Sequence, residues 1–502
     1  MAFLLLTLIL GSILANALYN VFSHPLRRFP GPLLARATRL FYSYYRSIGK
    51  LEIKTQELHK KYGNVVRIAP DELSFVSGAS WADIYGSKSS GGKQLAKEPF
   101  FYLGAMAPNG EKNLGASSDN DHARIRGVLS HAFSEKALHS QERVLNDHVT
   151  HMTHRIQQLG GAQTDAVRWL QHCTYDIITD LSLGSSAGAL DCDTWNPSAH
   201  LVFESVKEGI AAIEVLRFLP FRSLLVRLLM KVFGASRRQV FDTAVEKARV
   251  RMATGNYERA DFMSYILRAN KTSKELTAAE MTANVALLLD VGSETTASLL
   301  SGCLFYVTRD STILNRLTRE IRDVFETSEQ ITLKRLATLP YLHAVLQEAL
   351  RLYPPVAGAT PRMTPPSGAS IDGHFVPGNM TVAINQYAAY RVDTNFADPL
   401  EFNPGRWLGE SDFSCDKREV VQPFSLGPRN CLGRNLAWAE MRLIIGNLIW
   451  AFDLELTVTS ENWSDQRTWF IWDKPALLIR FQPRGFVDQT TMEALPRPNV
   501  LL

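Results

Sequence analysis

The feature that most limits how this 502-residue chain can fold is an apolar stretch near its middle. The segment NVALLLDVGSETTASLLSGCLFYV, residues 284–307, is apolar on nearly every side when wound as an α-helix. A helix of this kind is normally buried in the core of a large protein. Thr277 and Glu280 form a capping-box pattern just before it, which predicts where the helix begins. The sequence therefore predicts a mainly α-helical body with this helix at its centre.

Polar residues interrupt this helix in its middle: Asp290, Gly292, Ser293, Glu294, Thr295 and Thr296. Glycine inside a helix costs about 1 kcal/mol relative to alanine, and a buried carboxylate without a partner costs far more. A cluster this costly indicates a functional use. The alternative is a helix kink in which threonine hydroxyls bond to carbonyls one turn earlier, but a kink does not explain why Glu294 is present.

A second pattern lies in FSLGPRNCLG, residues 424–433, which precedes a long amphipathic helix. Gly427 and Pro428 form a loop that brings Cys431 to the start of that helix. Free backbone amides, the helix dipole and nearby Arg429 would stabilise a thiolate there. Gly433 would let the backbone approach a bulky planar group closely. These arguments leave a nucleophile, a redox thiol and a metal ligand equally open.

A third pattern is the pair Glu348 and Arg351, three residues apart in the helix LPYLHAVLQEALRLYPP. Such pairs are common on exposed helix faces, but here the neighbouring positions are apolar, which predicts a buried pair. The five donors of a buried arginine need acceptors. We therefore expect further polar partners close to Arg351.

The N-terminal segment Ala2–Phe22 carries no charge and is long enough to cross a bilayer. Arg27 and Arg28 follow it, which favours a cytosolic position for what comes after. A cleaved signal peptide is the alternative, because residues 15–17 resemble a cleavage site, although no positive region precedes the apolar run. We expect a transmembrane helix over 2–22, a Pro/Gly hinge and linker over 23–50, and one catalytic domain over 51–502.

The remaining composition excludes several classes of protein. The net charge is only +4 and no basic run with interleaved aromatics occurs, so we expect no nucleic-acid partner. Five cysteines, an odd number without a CxxC motif, exclude a disulfide framework and favour a reducing compartment. A minor β part is predicted by a strand-like stretch over 65–76, a small sheet over 371–384 and a final strand pair between Phe470 and Phe481.

Four motifs together resemble the cytochrome P450 superfamily. FSLGPRNCLG resembles its haem-binding signature, EALR its E-x-x-R helix, FNPGRW (402–407) the segment that follows, and VGSETT (291–296) its oxygen-activation motif. HPLRRFPGP, KYGNVVRIAPDELSF and DHARIRGVLSHAFS further resemble fungal microsomal members of secondary metabolism, including trichothecene-pathway hydroxylases. Two positions depart from the family pattern. Val291 replaces a small residue, and His122 stands where a tryptophan is usual.

The resemblance implies the P450 fold, an α-helical bundle around haem b with small sheets. Cys431 would be the axial ligand of the iron, with Glu294, Thr295 and Gly292 handling oxygen and protons on the opposite face. Arg406 would join Glu348 and Arg351 in a structural network. The other residues implied to bind the cofactor are His122, Arg126, Arg362, Arg429, Phe424 and Gly433.

The same resemblance implies a monooxygenase, EC class 1.14, that oxidises a hydrophobic small molecule with O₂. The segments implied to line its pocket are Phe100, Phe101, Met106, Ala286–Asp290, Val356–Ala359 and the turn near Phe470. No G-x-G-x-x-G occurs in a strand–helix context, so electrons would come from NADPH through cytochrome P450 reductase. Arg429, Arg434 and Lys417 are candidates for its docking face. We expect a monomer anchored in the endoplasmic reticulum membrane with its catalytic domain in the cytosol.

Three alternative functions remain open at this stage. A haem-thiolate isomerase or dehydratase would need no external O₂, although such relatives often lack an acid–alcohol pair like Glu294–Thr295. A non-catalytic membrane haem protein would tolerate Thr295→Ala. A cysteine hydrolase would use Cys431 without haem. The sequence does not identify the substrate scaffold, which the resemblance leaves open among terpenoids, polyketides and alkaloids.

Overall fold

A computed structural model describes residues 1–87, 94–195, 197–218, 235–254, 259–270 and 276–485 of the chain. The fold is mainly α-helical with small sheets, as predicted. The helices are α1 Ala2–Phe22, α2 Leu33–Ala37, α3 Leu40–Ser47, α4 Leu51–Tyr62, α5 Gly78–Tyr85, α6 Pro99–Leu103, α7 Asp119–Leu129, α8 Glu135–Gln157, α9 Ala166–Leu183, α10 Pro197–Phe218, α11 Ala235–Ala253, α12 Phe262–Asn270, α13 Ala278–Arg309, α14 Ser311–Val324, α15 Leu333–Leu336, α16 Pro340–Leu352, α17 Gln386–Ala389, α18 Gly405–Leu408 and α19 Arg434–Ala451.

Helix α13 is the predicted central helix, and it runs unbroken for 32 residues. Both hydrogen bonds of the predicted capping box are present, from the Glu280 amide to the Thr277 side chain and from the Thr277 amide to Glu280. Its C-terminal half is sealed in the core, where Leu300, Cys303 and Phe305 are fully buried. Helices α9, α11, α16 and α19 pack around it, so polar residues in its middle face protein or the active site.

The strands are β1 Val65–Ala69, β2 Glu72–Phe75, β3 Ala96–Lys97, β4 Gln163–Asp165, β5 Arg362–Met363, β6 Ala369–Ile371, β7 His374–Val376, β8 Thr381–Ile384, β9 Phe452–Leu456, β10 Arg467–Trp469, β11 Ile471–Asp473 and β12 Leu478–Pro483. They form a five-stranded sheet in the order β1-β2-β8-β5-β3, a three-stranded sheet β4-β12-β9, and two hairpins, β6-β7 and β10-β11. The predicted strands over 65–76 are confirmed as β1 and β2.

Two predicted strand arrangements are corrected. Residues 371–384 do not form one sheet: the Asp372–Gly373 turn, with φ of 50° and 73°, closes β6-β7, whereas β8 pairs in parallel with β2. The expected pair between Phe470 and Phe481 is also wrong, because Phe470 itself forms the turn of a separate hairpin, in which Trp469 faces Ile471. Strand β12 pairs instead with β4 and β9.

The N-terminal helix α1 spans the predicted range, and Phe3–Phe22 is long and apolar enough to cross a membrane. Its end is tied to the body, since the Asn20 amide donates to the Ala37 carbonyl (2.9 Å) and Arg36 donates to the Val21 carbonyl (3.2 Å). The range 23–50, predicted as a hinge and linker, includes the short helices α2 and α3.

Candidate active site

The loop before α19 holds Cys431 in a fixed position. Its amide donates to the Phe424 carbonyl at 2.8 Å, which closes the loop. Gly427 has φ of 72°, and a side chain there would overlap the Tyr85 carbonyl, so glycine is required at this turn. At Gly433 an added Cβ would lie 4.0 Å from the Cys431 sulfur and from the Phe133 ring. Packing within the protein therefore does not by itself require Gly433.

The groups around the Cys431 thiol shift its pKa in opposite directions. Burial raises its pKa above the usual value, while a hydrogen bond from the Gly433 amide and the charges of Arg126 and Arg434 oppose that rise. The sequence predicted a stabilised thiolate. The helix-start amide acts in the predicted direction, and although nearby protein atoms desolvate the sulfur, Cys431 itself is exposed in the loop. A bound cation would stabilise the thiolate further. Metal coordination supplies such a charge.

A cluster of basic side chains lies beside this loop. Its members are Lys97, His122, Arg126, Arg362 and Arg429. Burial, followed by the charge of Arg429 and then of Arg362, lowers the pKa of Lys97 to about 7. Burial and the charges of Arg429, Lys97 and Arg126 lower the pKa of His122 to about 4. The cluster thus contains more positive charge than its own anion, Asp119, offsets.

Strand pairing adds to this repulsion, because Lys97 of β3 stands directly opposite Arg362 of β5. Like charges in cross-strand pairs are destabilising. A group with two carboxylates would satisfy such a cluster through charge-assisted hydrogen bonds, and the propionates of haem b are such a group. The residues present therefore fit haem. Lys97 was missed at the sequence level, because a single lysine on a two-residue strand has no pattern of its own.

Three of the predicted haem partners also bind protein groups, and one of them is Arg362, which donates to the Tyr102 hydroxyl. Arg126 donates to the Asn430 carbonyl (2.8 Å) and to its side-chain oxygen (2.6 Å), which ties α7 to the cysteine loop. Arg429 donates to Asp119 (2.7 Å) and to the Ser117 carbonyl (2.9 Å). Arg429 is turned inward, with its side chain 10% exposed, and its place on a docking face for the reductase stays a prediction. Arg434 and Lys417 are exposed.

The predicted Glu348–Arg351–Arg406 residues lie together and are fully buried. Glu348 accepts from Arg351 (2.7 and 2.9 Å) and from Arg406 (3.1 Å). Burial would raise the pKa of Glu348, but the two arginines and their hydrogen bonds hold it below its usual value. The expected further partners of Arg351 are the backbone carbonyls of Tyr390 (2.8 Å), Pro399 (2.7 Å) and Glu401 (2.8 Å). Trp407 also donates to Glu348 at 2.9 Å, and Asp416 accepts from Arg406 at 2.5 Å.

On the central helix, Glu294 and Thr295 have different surroundings. The Thr295 hydroxyl donates to the Val291 carbonyl at 2.8 Å, and Val291 is 49% exposed. Glu294 is 2% exposed, and its carboxylate forms an ion pair with Lys474 from the segment after β11. Gln171 of α9 donates to the same carboxylate at 2.9 Å and Ser298 at 3.2 Å. Of the two residues predicted to handle protons, Glu294 is therefore held in a buried ion pair, whereas Thr295 is bonded to its own helix.

Gly292 packs against α9 in this structure. A Cβ at this position would lie 2.7 Å from two side-chain carbons of Ile178. Close packing of α9 on α13 thus accounts for the glycine, which the sequence interpretation assigned to oxygen handling.

Glu440 of α19 is a further buried carboxyl group that the sequence did not reveal. It is 1% exposed, and neither oxygen has a hydrogen-bond partner of ordinary geometry among the described residues. Burial raises its pKa to about 8, with the Thr296 hydroxyl opposing the rise. It is therefore a neutral acid at pH 7, located between the cysteine helix and the central helix.

Several of the segments predicted to line the substrate pocket meet one another. The rings of Phe101 and Phe470 lie 5.4 Å apart in an edge-to-face arrangement. Gly358 adjoins them, since a Cβ there would lie 3.2 Å from the Phe470 ring. Leu287 of α13 lies 3.5 Å from a Cβ placed at Gly115, in the loop before His122. These contacts form an apolar wall with aromatic edges.

Residues 40–481 match the family model described as cytochrome P450. The chain belongs to the cytochrome P450 family. Fusicoccadiene 8-ol C-16-hydroxylase of Phomopsis amygdali is 63% identical over 472 residues, which cover 93% of this chain and 90% of that protein. Fusicoccadiene 8-ol C-16 hydroxylase of Alternaria brassicicola is 50% identical over 469 residues, 93% of this chain and 95% of that protein.

Cytochrome P450 monooxygenase aclL of Aspergillus oryzae (strain ATCC 42149 / RIB 40) is 43% identical over 488 residues, 95% of this chain and 98% of that protein. The predicted family and enzyme class are thus confirmed. This cytochrome P450 is a haem b monooxygenase of fungal secondary metabolism that uses dioxygen and receives NADPH-derived electrons through a reductase. Among the functions left open by the sequence, the comparisons favour monooxygenation over isomerisation, ligand carriage and hydrolysis.

Proposed function

We propose that this cytochrome P450 hydroxylates fusicoccadiene 8-ol or a closely similar compound, an unsaturated hydrocarbon that already carries one hydroxyl group. The observation that carries the proposal is that two relatives from different fungi, 63% and 50% identical over 93% of this chain, have names that specify the same substrate and carbon. The aromatic wall of Phe101 and Phe470 suits a rigid hydrocarbon.

Residues of the cysteine loop and of the basic cluster have proposed tasks toward the cofactor. Cys431 would hold the haem iron, and Lys97, His122, Arg362 and Arg429 would bind the two propionates. Arg126 would fix the loop through Asn430 and lend its charge to the sulfur. Phe424 packs beside Trp438, with ring centroids 6.4 Å apart, and would shield the proximal side. When bound, the haem supplies dioxygen activation and insertion of one oxygen atom into a C–H bond.

The proton handling proposed for the central helix depends on two atoms. The Thr295 hydroxyl would pass a proton from its Oγ1 toward the reacting face after leaving the Val291 carbonyl. The Glu294 carboxylate would supply that proton, and it must first separate from Lys474 and bind a proton from solvent. Lys474 therefore acts as a positioning residue that holds the Glu294 side chain in place until the relay is needed. The role of Gly292 in this relay stays a prediction.

We further propose a single-pass anchor in the endoplasmic reticulum membrane, with the catalytic domain over 51–502 in the cytosol. Helix α1 and the following Arg27 and Arg28 support this orientation. NADPH–cytochrome P450 reductase would be the electron donor, docking near exposed Arg434 and Lys417, and the enzyme would act as a monomer.

The test is oxidation by full-length enzyme in membranes with the reductase and NADPH. Fusicoccadiene 8-ol is expected to gain one oxygen atom at C-16, with incorporation of label from ¹⁸O₂. Thr295→Ala is expected to keep NADPH consumption while forming less product. A wild-type enzyme that consumes NADPH but leaves fusicoccadiene 8-ol unchanged would overturn the proposed substrate.

A further inference from the structure

A buried ion pair of unusual geometry lies next to the apolar wall of the pocket. Arg46, in the last turn of α3, and Glu52, in the first turn of α4, have side chains 6% and 1% exposed. The Arg46 Nη1 and Glu52 Oε1 atoms are 3.6 Å apart. This distance permits charge attraction but is too long for a hydrogen bond. Both groups are thus desolvated without full hydrogen bonding to each other.

Both members of this pair lack hydrogen bonds that they could form. Glu52 Oε2 is buried and has no hydrogen-bond partner among the described residues. Within the same part of the chain, the Arg46 guanidinium donates no hydrogen bond to another residue. A buried donor or acceptor left without a partner costs about 1–3 kcal/mol, and more when it is charged. The pair therefore has capacity for a ligand with both a donor and an acceptor.

Neighbouring charged groups have hydrogen-bonded protein partners. Glu214 accepts from Ser43 at 2.5 Å, and Arg217 pairs with Glu98 at 3.0 Å. Each of these groups thus has a protein partner at ordinary hydrogen-bonding distance. Arg46 and Glu52 differ in that their closest charged atoms are 3.6 Å apart.

The pair borders the residues that line the pocket. The Arg46 guanidinium carbon lies 5.7 Å from the centroid of the Phe101 ring. A Cβ at Gly358 would lie 2.8 Å from Glu52 Oε1 and 3.2 Å from the Phe470 ring. Phe101, Gly358 and Phe470 thus connect the ion pair directly to the apolar wall. A side chain at position 358 would separate Glu52 from that wall.

We infer that Arg46 and Glu52 form a recognition site for the hydroxyl group of the substrate. This inference rests on the proposed function and deepens it by naming the residues that select an alcohol over its parent hydrocarbon. A hydroxyl oxygen between the two groups accepts from Arg46 and donates to Glu52. A carboxylate would be repelled by Glu52, an ammonium by Arg46, and an alkyl group would leave both charges unmatched.

The experiment measures equilibrium dissociation constants by dialysis, using detergent-solubilised full-length holoenzyme. The probes are fusicoccadiene 8-ol and the parent fusicoccadiene. The variants are Arg46→Met, Glu52→Gln and the double variant Arg46→Met/Glu52→Leu. Replacing both partners of a buried pair by apolar residues is often neutral for folding. The matched control is Glu57→Gln on the same helix, where the carboxylate is 57% exposed.

Wild type and the Glu57→Gln control are expected to bind the alcohol at least tenfold more tightly than the hydrocarbon. In the double variant the dissociation constant of the alcohol should rise about tenfold to a hundredfold, while that of the hydrocarbon stays the same or falls. If the dissociation constants of both probes rise equally, the pair has only a structural role, and the inference is overturned. An unchanged preference in every variant would overturn it as well.

Failure of the proposed substrate can be told apart from failure of this site. Paired terpene alcohols and their hydrocarbons are measured in parallel with the fusicoccadiene pair. If only fusicoccadiene 8-ol fails to bind, the substrate proposal fails, and the hydroxyl site is judged on the other pairs. If no alcohol binds wild type more tightly than its hydrocarbon, the hydroxyl site is overturned even where product forms.

Discussion

At the scale of single residues, Glu440 shows how burial sets a charge state. Its carboxyl group has a pKa of about 8 in the folded protein, against an ordinary 4.5. The folded chain therefore keeps a proton that the unfolded chain releases. The contribution of this group to stability is complete below about pH 4.5 and is lost as the pH rises through 8.

Glu440→Gln should remove this dependence, because glutamine imitates the neutral acid at every pH. Relative to wild type, we expect the variant to gain a few kcal/mol of unfolding free energy between pH 5 and pH 8.5. Urea midpoints of both proteins at several pH values measure the difference. Exposed Glu461→Gln is the control and should show no trend. Parallel pH profiles for wild type and Glu440→Gln would contradict the assignment.

At the scale of elements, the ion pair between Lys474 and Glu294 joins the segment after β11 to the central helix. Lys474 also donates to Ser298 at 2.9 Å, so one lysine holds two residues of α13. Its side chain is 5% exposed, and removal would leave Glu294 buried without a cation. The position of the central helix and that of the C-terminal hairpin thus depend on each other.

Lys474→Met is expected to cost about 3–5 kcal/mol of unfolding free energy, since it leaves one buried charge unpaired. The double variant Lys474→Met/Glu294→Gln should recover much of that loss, because no buried charge remains. Urea unfolding of the four proteins in this cycle gives the coupling energy. Additive single effects would show that the pair is not coupled in solution.

The contact between α9 and α13 gives a second prediction at this scale. Gly292→Ala places a methyl group about 2.7 Å from Ile178, so we expect a loss of about 1–3 kcal/mol of stability from overpacking. Gly292→Ala/Ile178→Val should lose less than the single variant, because the partner side chain is shorter. Thermal unfolding of both variants tests this. If the unfolding midpoint of Gly292→Ala equals that of wild type, α9 moves aside with no loss of stability.

At the scale of the whole molecule, the apolar N-terminal surface continues beyond helix α1. Leu33, Leu34 and Leu40 of α2 and α3 are 58–66% exposed. Since Asn20 and Arg36 tie the end of α1 to α2, these side chains lie close to the predicted membrane span. Exposed apolar side chains next to the proposed anchor predict that α2 and α3 also contact the membrane.

Deletion of residues 2–22 is therefore expected to leave part of the protein bound to membranes. Adding Leu33→Ser, Leu34→Ser and Leu40→Ser to the deletion should move it into the soluble fraction. Sedimentation of membranes after a high-salt wash measures both distributions. Complete release by the deletion alone would show that α2 and α3 do not touch the bilayer.

The features predicted correctly from the sequence are those that short local patterns determine. The spacing of Glu348 and Arg351, the capping box at Thr277 and the loop around Cys431 are local, and each lies where it was expected. The apolar central segment predicted the mainly helical fold because a helix without a polar face needs protein around it.

What the sequence could not predict depends on partners distant along the chain. Lys474 is 180 residues from Glu294, and Glu440 shows its neutral state only once α13 packs beside it. The strand pairing of 470–481 was wrong for the same reason, since β12 binds β4 from more than 300 residues earlier. The inward turn of Arg429 likewise follows from Asp119 in a different segment.

The turn at Phe470 bears on how enzymes of this architecture can change substrate. Its φ of 75° is unusual for an aromatic residue, and the pairing of Trp469 with Ile471 leaves it as the single turn residue. An insertion here would shift the register of both strands and displace Trp469 and Ile471 from their buried positions. Lineages descended from such a sequence are therefore expected to vary the identity of this residue and conserve the length of the hairpin.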